Sequence, residues 1–186
     1  MQIFLVILAV AAVILILMYN SLIGKKNQVE NIFAGVDAIL KKRFDLIPNL
    51  VASVERYMDH EKATLEKVTE LRAQAMKPGL SDEQKIAYDA KLTAALGSIT
   101  VAMEAYPDLK ANENVMHLQR SLAEIEEQIS AARRAYNQAV TDLNNAIEMF
   151  PTNLMAGWMK LSRRAVFEIT PAERQNVDVH QLFNRS

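Results

Sequence analysis

Residues 115–150, with the sequence VMHLQRSLAEIEEQISAARRAYNQAVTDLNNAIEMF, decide the fold. Their apolar residues recur at alternating steps of three and four, which is typical of a helix that buries one stripe. Polar side chains, including Glu126, Arg133 and Asn144, fill the other positions and are expected on the solvent face. A period of about 3.5 residues predicts left-handed packing against neighbouring helices at angles near 20°. The stripe consists of Val115, Leu118, Leu122, Ile125, Ile129, Ala132, Tyr136, Ala139, Leu143, Ala146 and Phe150.

A second apolar stripe precedes this helix, from Val29 to Val54. It keeps its three- and four-residue steps across Pro48, so we expect a bend at the proline, although a hairpin there stays open. The same helix is predicted to continue through Met58 until Pro78-Gly79, a strong stop signal.

Two further helices are predicted between and after these stretches. Ser81 and Gln84 have the spacing of a capping box, and the helix that they begin ends at Tyr106-Pro107-Asp108. A shorter helix is expected over 154–167, followed by a polar tail from residue 170. The candidate apolar contact residues on the shorter helix are Met155, Trp158 and Met159. No part of the sequence shows strand-like alternation.

The N-terminus carries an unbroken apolar run, Ile3 to Tyr19, which stays uncharged to Gly24. About 20 such residues cross a bilayer as a helix, and the run lacks the basic start and cleavage site of a signal peptide. Lys25 and Lys26 flank it on the C-terminal side, which favours a cytoplasmic location for the rest of the chain over a periplasmic one. The predicted domains are an anchor (1–24), a helical bundle (25–169) and a tail (170–186).

Composition narrows the classes of function. With 186 residues, a net charge of -1 and no cysteine, the chain is too small for a multidomain enzyme and cannot form disulfides or thiolate metal sites. Near-neutral charge argues against nucleic-acid binding. His60-Glu61 lacks the second histidine of a zinc-protease helix, and no phosphate loop or nucleophile elbow is present. We expect no catalytic, metal or cofactor site and no enzyme activity.

A short motif around Pro48 has two interpretations. Proline in a helix frees the carbonyl four residues earlier, so the motif is either a structural bend with solvated charges or a shaped docking surface. The sequence leaves both open. The candidate interaction residues are Arg43, Asp45, Leu46, Pro48 and Asn49.

The stretches KKRFDLIPNLV (41–51), YMDHE (57–61) and YPDLKANENVMHLQRSLAEIEEQISAARRAYNQAV (106–140), together with Phe150-Pro151, resemble the LemA family. The resemblance implies an N-terminally anchored bacterial membrane protein with a bundle of long antiparallel helices. It implies no catalytic activity or cofactor. The tail beyond Phe167-Glu168 departs from the family pattern.

The resulting prediction is an all-α protein: an N-terminal transmembrane helix followed by an antiparallel bundle of long, coiled-coil-like helices. Its predicted function is that of a scaffold or adaptor in the bacterial inner membrane, acting through protein contacts. We expect it to contact lipid through its anchor and to self-assemble, with apolar stripes left uncovered in one chain pairing with neighbouring copies. A membrane protein partner such as a protease is an additional expectation. The alternative is a lipid- or client-binding module, working with a membrane protease or in envelope stress.

Overall fold

The computed structural model describes residues 1–167, apart from the side chain of Asp59. The predicted tail over 170–186, with His180, lies outside the described residues. Within them every regular element is helical, which confirms the all-α prediction. The helices are α1 (Gln2–Val54), α2 (Lys62–Ala75), α3 (Asp82–Met103), α4 (Pro107–Lys110), α5 (Glu113–Glu148) and α6 (Thr152–Trp158), with a 3-10 turn at Asp59–Glu61 before α2.

Helix α1 is a single helix of 53 residues that includes Pro48. Its N-terminal part is long and apolar enough to cross a membrane, and none of that apolar stretch is buried within the protein. Its C-terminal half is buried along one stripe, from Val29 to Val54, as the periodicity predicted. The anchor and the first bundle helix are therefore one continuous element, and Pro48 does not reverse the chain.

The predicted continuation of this helix to Pro78-Gly79 is wrong, because the chain reverses after Val54. Met58 leaves the helical conformation, with φ -119° and ψ 51°, and its side chain is completely buried. Helix α2 then runs back along α1, so that Arg72 near its end reaches the backbone of Phe44. The apolar stripe keeps helical spacing through this turn, and for that reason the reversal left no mark in the sequence pattern.

Helix α3 begins as predicted, after a turn in which Gly79 has a positive φ of 82°. The Ser81 hydroxyl accepts from the Gln84 backbone, and the Gln84 side chain accepts from the Ser81 backbone. This capping box satisfies two amide groups that a helix start leaves unpaired. The helix then rises beside α1, where Lys85 pairs with Asp37 at 2.8 Å.

Helix α5 descends along α1 and completes the bundle. The predicted stripe is buried or packed against the core over most of its length, but Phe150 at its end is exposed. Arg133 and Asn144, which the pattern assigned to the solvent face, are buried. Both make specific polar contacts inside the protein, which explains how they are accommodated there.

The segment after α6 is not the predicted helix over 154–167. Helix α6 ends at Trp158, Lys160 adopts a positive φ of 53°, and residues 161–167 carry no regular structure. We call residues 161–167 the return segment, because they run back along α5. Their conformation is held by side chains of α5 rather than by hydrogen bonds within a helix.

Candidate functional site

Three helices meet at a buried group of charges. Asp89 of α3 is 0% exposed and lies between Arg43 of α1 and Arg133 of α5, which are 3% and 7% exposed. Arg43 Nη1 donates to Asp89 Oδ1 at 3.1 Å, and Arg133 Nη2 donates to Asp89 Oδ2. Buried ions are stable only when they are paired and hydrogen-bonded, so this arrangement holds the three helices in one register.

Glu126 of α5 completes the group at its edge. Its Oε2 lies 3.1 Å from Arg43 Nη1, and its Oε1 lies 3.9 Å from Arg133 Nη1. The hydroxyl of Thr93 accepts a further hydrogen bond from Arg43 Nη1, at 3.0 Å. Arg43, Asp89, Glu126 and Arg133, which we call the charge cluster, contain two positive and two negative groups and therefore balance.

A cleft of about 350 Å³ opens beside the charge cluster, with Arg43 and Glu126 in its wall. Its remaining lining comes from α3 and α5 together with Leu50 of α1, and it is mainly apolar, with the hydroxyls of Thr93 and Thr100 and the amide of Gln119. Within residues 1–167 no group of His, Asp and Glu side chains is arranged to hold a metal ion. His60 and His117 are exposed on the surface. The expected absence of a metal, cofactor or catalytic site stays a prediction.

The carbonyl that Pro48 leaves without a helical donor has a specific partner. Proline has no N–H to offer to the carbonyl of Phe44, four residues earlier. Arg72 Nε of α2 donates to that oxygen at 2.7 Å. The proline thus fastens α2 to α1, which gives the motif a structural role inside the bundle.

The residues of the predicted motif do not form one surface. Arg43 points into the charge cluster, Leu46 is partly buried, and Asp45, Pro48 and Asn49 are exposed. The outer face of α1 (Lys41, Lys42, Asp45, Pro48 and Asn49) is exposed. The docking interpretation therefore applies only to this outer face.

The return segment is held on α5 by two asparagine side chains. Asn144 donates to the carbonyl of Arg164 at 3.0 Å and accepts from its N–H at 2.9 Å. Asn137 does the same for Phe167, at 2.9 and 2.8 Å. The spacings match, because seven helical residues and three extended residues both span about 10 Å. The two side chains thus satisfy the backbone N–H and C=O groups of Arg164 and Phe167, which have no partner in a helix or a sheet within residues 1–167.

A cluster of three aromatic rings, in tilted and edge-to-face contact, covers the same region. The Tyr136 ring lies 5.4 Å from that of Phe33 and 5.3 Å from that of Phe167, measured between centroids. Burial raises the pKa of Tyr136 to about 12. Its hydroxyl makes no hydrogen bond to any of residues 1–167. The Arg133 guanidinium lies 5.5 Å from the Phe167 ring, so the return segment also covers the charge cluster.

Arg164 ties the return segment to two other helices. It donates to Asp82 of α3 at 3.0 Å and lies 3.4 Å from Glu30 of α1. Burial raises the pKa of Asp82, and the positive charge of Arg164 opposes this shift. These contacts join the return segment, α3 and α1 at the end of the bundle next to the anchor, which we call the foot of the bundle.

An apolar groove lies between α6 and the apolar part of α1. It has a volume of about 950 Å³ and is almost entirely apolar. Two of the predicted apolar contact residues, Met155 and Trp158, line it, whereas Met159 is partly buried outside its lining. The predicted flanking residues Lys25 and Lys26 are half-buried just beyond it on α1. The groove is lined by Ala11, Ile14, Leu15, Ile16, Met18, Tyr19, Pro151, Leu154, Met155 and Trp158.

Several residues that organise these sites were not singled out by the sequence interpretation. Asp89 occupies a position in phase with the apolar stripe of α3, between Ile86 and Leu92, and a charge at such a position signals a buried ion pair. Arg133, Asn137 and Asn144 gave no comparable signal. Their partners are distant in sequence, so their roles depend on the tertiary fold.

An apolar helix that continues unbroken into an all-helical bundle defines a membrane-associated helical protein. Within that class, the chain belongs to the LemA family, whose model matches residues 32–180. It is 27% identical over 165 residues to Protein LemA of Metamycoplasma hominis, covering 89% of this chain and 75% of that protein. It is also 22% identical to Magnetosome protein MamQ 2 of Paramagnetospirillum magneticum over 204 aligned positions, covering 95% of this chain and 75% of the relative. None of these names denotes an enzyme.

Proposed function

We propose that the protein is a membrane-anchored scaffold or adaptor that acts through protein contacts and assembles with copies of itself. The continuity of α1 carries this proposal. Because the anchor and the first bundle helix are one element, no hinge separates the membrane from the bundle. The charge cluster then fixes α3 and α5 on α1, and Arg72 fixes α2 there. The result is a continuous column of helices that carries its surface away from the bilayer.

The outer face of α1 is the contact surface that we propose. The bundle covers its apolar stripes within one chain, so self-assembly through uncovered stripes has little support in the described residues. Outside the anchor and the α6 region, the exposed large apolar residues of the described chain do not form a patch. They are Tyr57, Met76, Val101 and Val166. A polar contact is therefore the better candidate, and Lys41 and Asp45 offer charges of both signs at helical spacing.

The test is the native mass and composition of the full-length protein after crosslinking in cells and gentle detergent extraction. A large complex of this chain alone supports self-assembly, and a complex with one reproducible foreign protein, such as a membrane protease, supports the adaptor role. Asp45→Arg should reduce either complex without changing helicity. Glu124→Arg, on the exposed face of α5, is the matched control. A protein that stays monomeric under crosslinking overturns the proposal.

We propose that the anchor crosses the bacterial inner membrane with the bundle in the cytoplasm, supported by Lys25 and Lys26 at the end of the apolar run. The chain contains no native cysteine, so Ser98→Cys, on the exposed surface of α3, is a unique label. An impermeant maleimide should leave it unmodified in intact cells. Labelling from outside would place the bundle in the periplasm.

A second candidate function is a lipid- or client-binding module. The apolar groove beside α6 is the observation that favours it. Such a module would work in envelope stress or with a membrane protease. A groove that lies within the bilayer would bind lipid, whereas a groove that lies outside it would bind a client protein.

A further inference from the structure

The segment that leads into and forms α6 is unusually apolar for a surface element. Residues 149–159, MFPTNLMAGWM, contain no charged side chain. Phe150 is 79% exposed and Trp158 is 76% exposed, and Met149 and Leu154 are exposed as well. Contiguous exposed apolar surface of this kind is rare on proteins in water and marks a site of contact with a partner or a membrane. We call residues 149–159 the insertion segment.

The insertion segment lies beside the anchor rather than beside the bundle. Leu154 and Trp158 share the apolar groove with Leu15 and Tyr19 of α1. Near the foot of the bundle, Leu22 of α1 and Ala156 of α6 are both buried although neither belongs to the main core. The two helices therefore pack on each other at the level of the apolar run.

This position sets the depth of the segment in the bilayer. If α6 were in water, Leu15 and Tyr19 beside it would be in water too. Only Gln2–Ile14 would then remain to cross the membrane, which is about 20 Å of helix against a hydrocarbon core of about 30 Å. If the whole run from Ile3 to Ile23 crosses, α6 must lie inside the bilayer, in the leaflet next to the bundle. The anchor can span only in the second arrangement.

The charges at the ends of the segment fit the same arrangement. Glu148 precedes it and Lys160 and Arg163 follow it. Arg163 Nη1 pairs with Glu148 at 2.5 Å, so the points where the chain leaves and rejoins the bundle lie together. Tyr19 and Trp158, which both line the groove, are residue types enriched at membrane interfaces. The segment thus leaves the bundle, enters the leaflet and returns.

We infer that the insertion segment is a second membrane contact and that phospholipid acyl chains of the surrounding leaflet occupy the apolar groove. The occupant is lipid rather than a client protein because the depth of the groove follows from the anchor's own span. This contact names the ligand of the second candidate function and rests on the proposed membrane crossing of the anchor. It does not depend on self-assembly, so a failure of the crosslinking test leaves it standing.

The native protein carries its own probe, because Trp158 is its single tryptophan. The full-length protein is reconstituted in vesicles of phosphatidylcholine and phosphatidylglycerol, with a fraction of the lipid spin-labelled on the acyl chain. We expect blue-shifted emission, strong quenching by labels near the glycerol end of the chain and weak quenching by aqueous iodide. Emission typical of water with strong iodide quenching would overturn the inference. Blue-shifted emission without quenching from lipid would also overturn it, because protein would then cover the groove.

Paired variants distinguish loss of lipid contact at the insertion segment from the effect of an added charge elsewhere on the surface. Leu154→Glu places a carboxylate in the leaflet, so lipid quenching of Trp158 should be largely lost. Leu154→Met should retain it. Val101→Glu is the matched control, because Val101 is 71% exposed and Leu154 is 67% exposed, but Val101 lies at the end of α3 away from the anchor. Equal loss of quenching in Val101→Glu would contradict the assignment, and the native measurement stands even if a variant fails to fold.

Discussion

Replacing Asp89 by leucine should destabilise the bundle strongly. Asp89 accepts from Arg43 and Arg133, and all three are buried. Without it, Glu126 is the carboxylate that the two guanidinium groups retain among the described residues, 3.1 Å from one and 3.9 Å from the other, and Arg43 also keeps its hydrogen bond to the Thr93 hydroxyl. Leaving a buried charge without its partner costs about 3–5 kcal/mol. For a chain of this size that corresponds to a fall in Tm of roughly 6–20 °C.

The assay is thermal unfolding of the full-length protein in detergent, followed by far-UV circular dichroism. Asp45→Asn, on the exposed face of α1, is the control and should change the stability by less than about 0.5 kcal/mol. A cost below about 1 kcal/mol for Asp89→Leu would refute the reasoning, because the charge cluster would then not hold the helices together.

The same measurement on a triple variant tests the physical cause. Arg43→Met, Asp89→Leu and Arg133→Met together remove the three buried charges and their desolvation cost, and they leave Glu126, whose side chain is 40% exposed and can be solvated by water. Apolar replacement of a complete buried ion group is often neutral or stabilising, so the triple variant should recover most of the lost stability. A triple variant as unstable as Asp89→Leu alone would indicate that the arginine stems fill space that methionine cannot.

Three further predictions concern other contacts. Arg72→Met leaves the Phe44 carbonyl without its donor and should lower the free energy of unfolding by about 1–3 kcal/mol in chemical denaturation. Pro48→Ala restores a backbone N–H and should reduce this loss. An equal loss with and without Pro48→Ala would contradict the proposed dependence of this hydrogen bond on the proline. Asn144→Ala should release the return segment and speed tryptic cleavage at its arginines, and unchanged cleavage would show that the segment is held without it. Because burial raises the pKa of Tyr136 from 10.0 to about 12, the folded protein retains a proton that the unfolded chain releases in that range. The native protein should therefore lose up to about 2 kcal/mol of stability as pH rises from 10.0 to about 12, and Tyr136→Phe should lose much less. Parallel pH profiles of the two proteins would refute this.

The elements that the sequence predicted well are those with local signals. The capping box at Ser81 and the stripe of α5 depend on residues three or four apart, so they mark helix α3 and most of α5 in any tertiary setting. The reversal after Val54 has no such signal. The apolar steps pass through Met58 into α2 without a glycine or proline, and the side chain of Met58 is buried in the core although its backbone leaves the helix.

The candidate sites were predicted less well because their contacts are distant in sequence. Arg43 was singled out, but its partner Asp89 lies 46 residues away, and no periodicity joins the two. A charge in phase with an apolar stripe identifies a buried position without naming its counterion. The apolar spacing around Trp158 is a local pattern, whereas the groove that Trp158 shares with the anchor exists only because α5 returns the chain to the N-terminal part of α1.

With the anchor in the bilayer as proposed, any tilt of the unbroken helix α1 is transmitted to the whole bundle. The helix extends about 45 Å beyond Gly24 at 1.5 Å per residue. Membrane helices tilt by about 20° on average, and the tilt increases when the bilayer is thinner than the apolar run. A tilt of that size moves the far end of the bundle sideways by about 15 Å, since no hinge absorbs the rotation. Local bilayer thickness would therefore set how far the far end of the bundle is displaced sideways from the anchor. Two copies in membranes of different thickness would differ in this displacement.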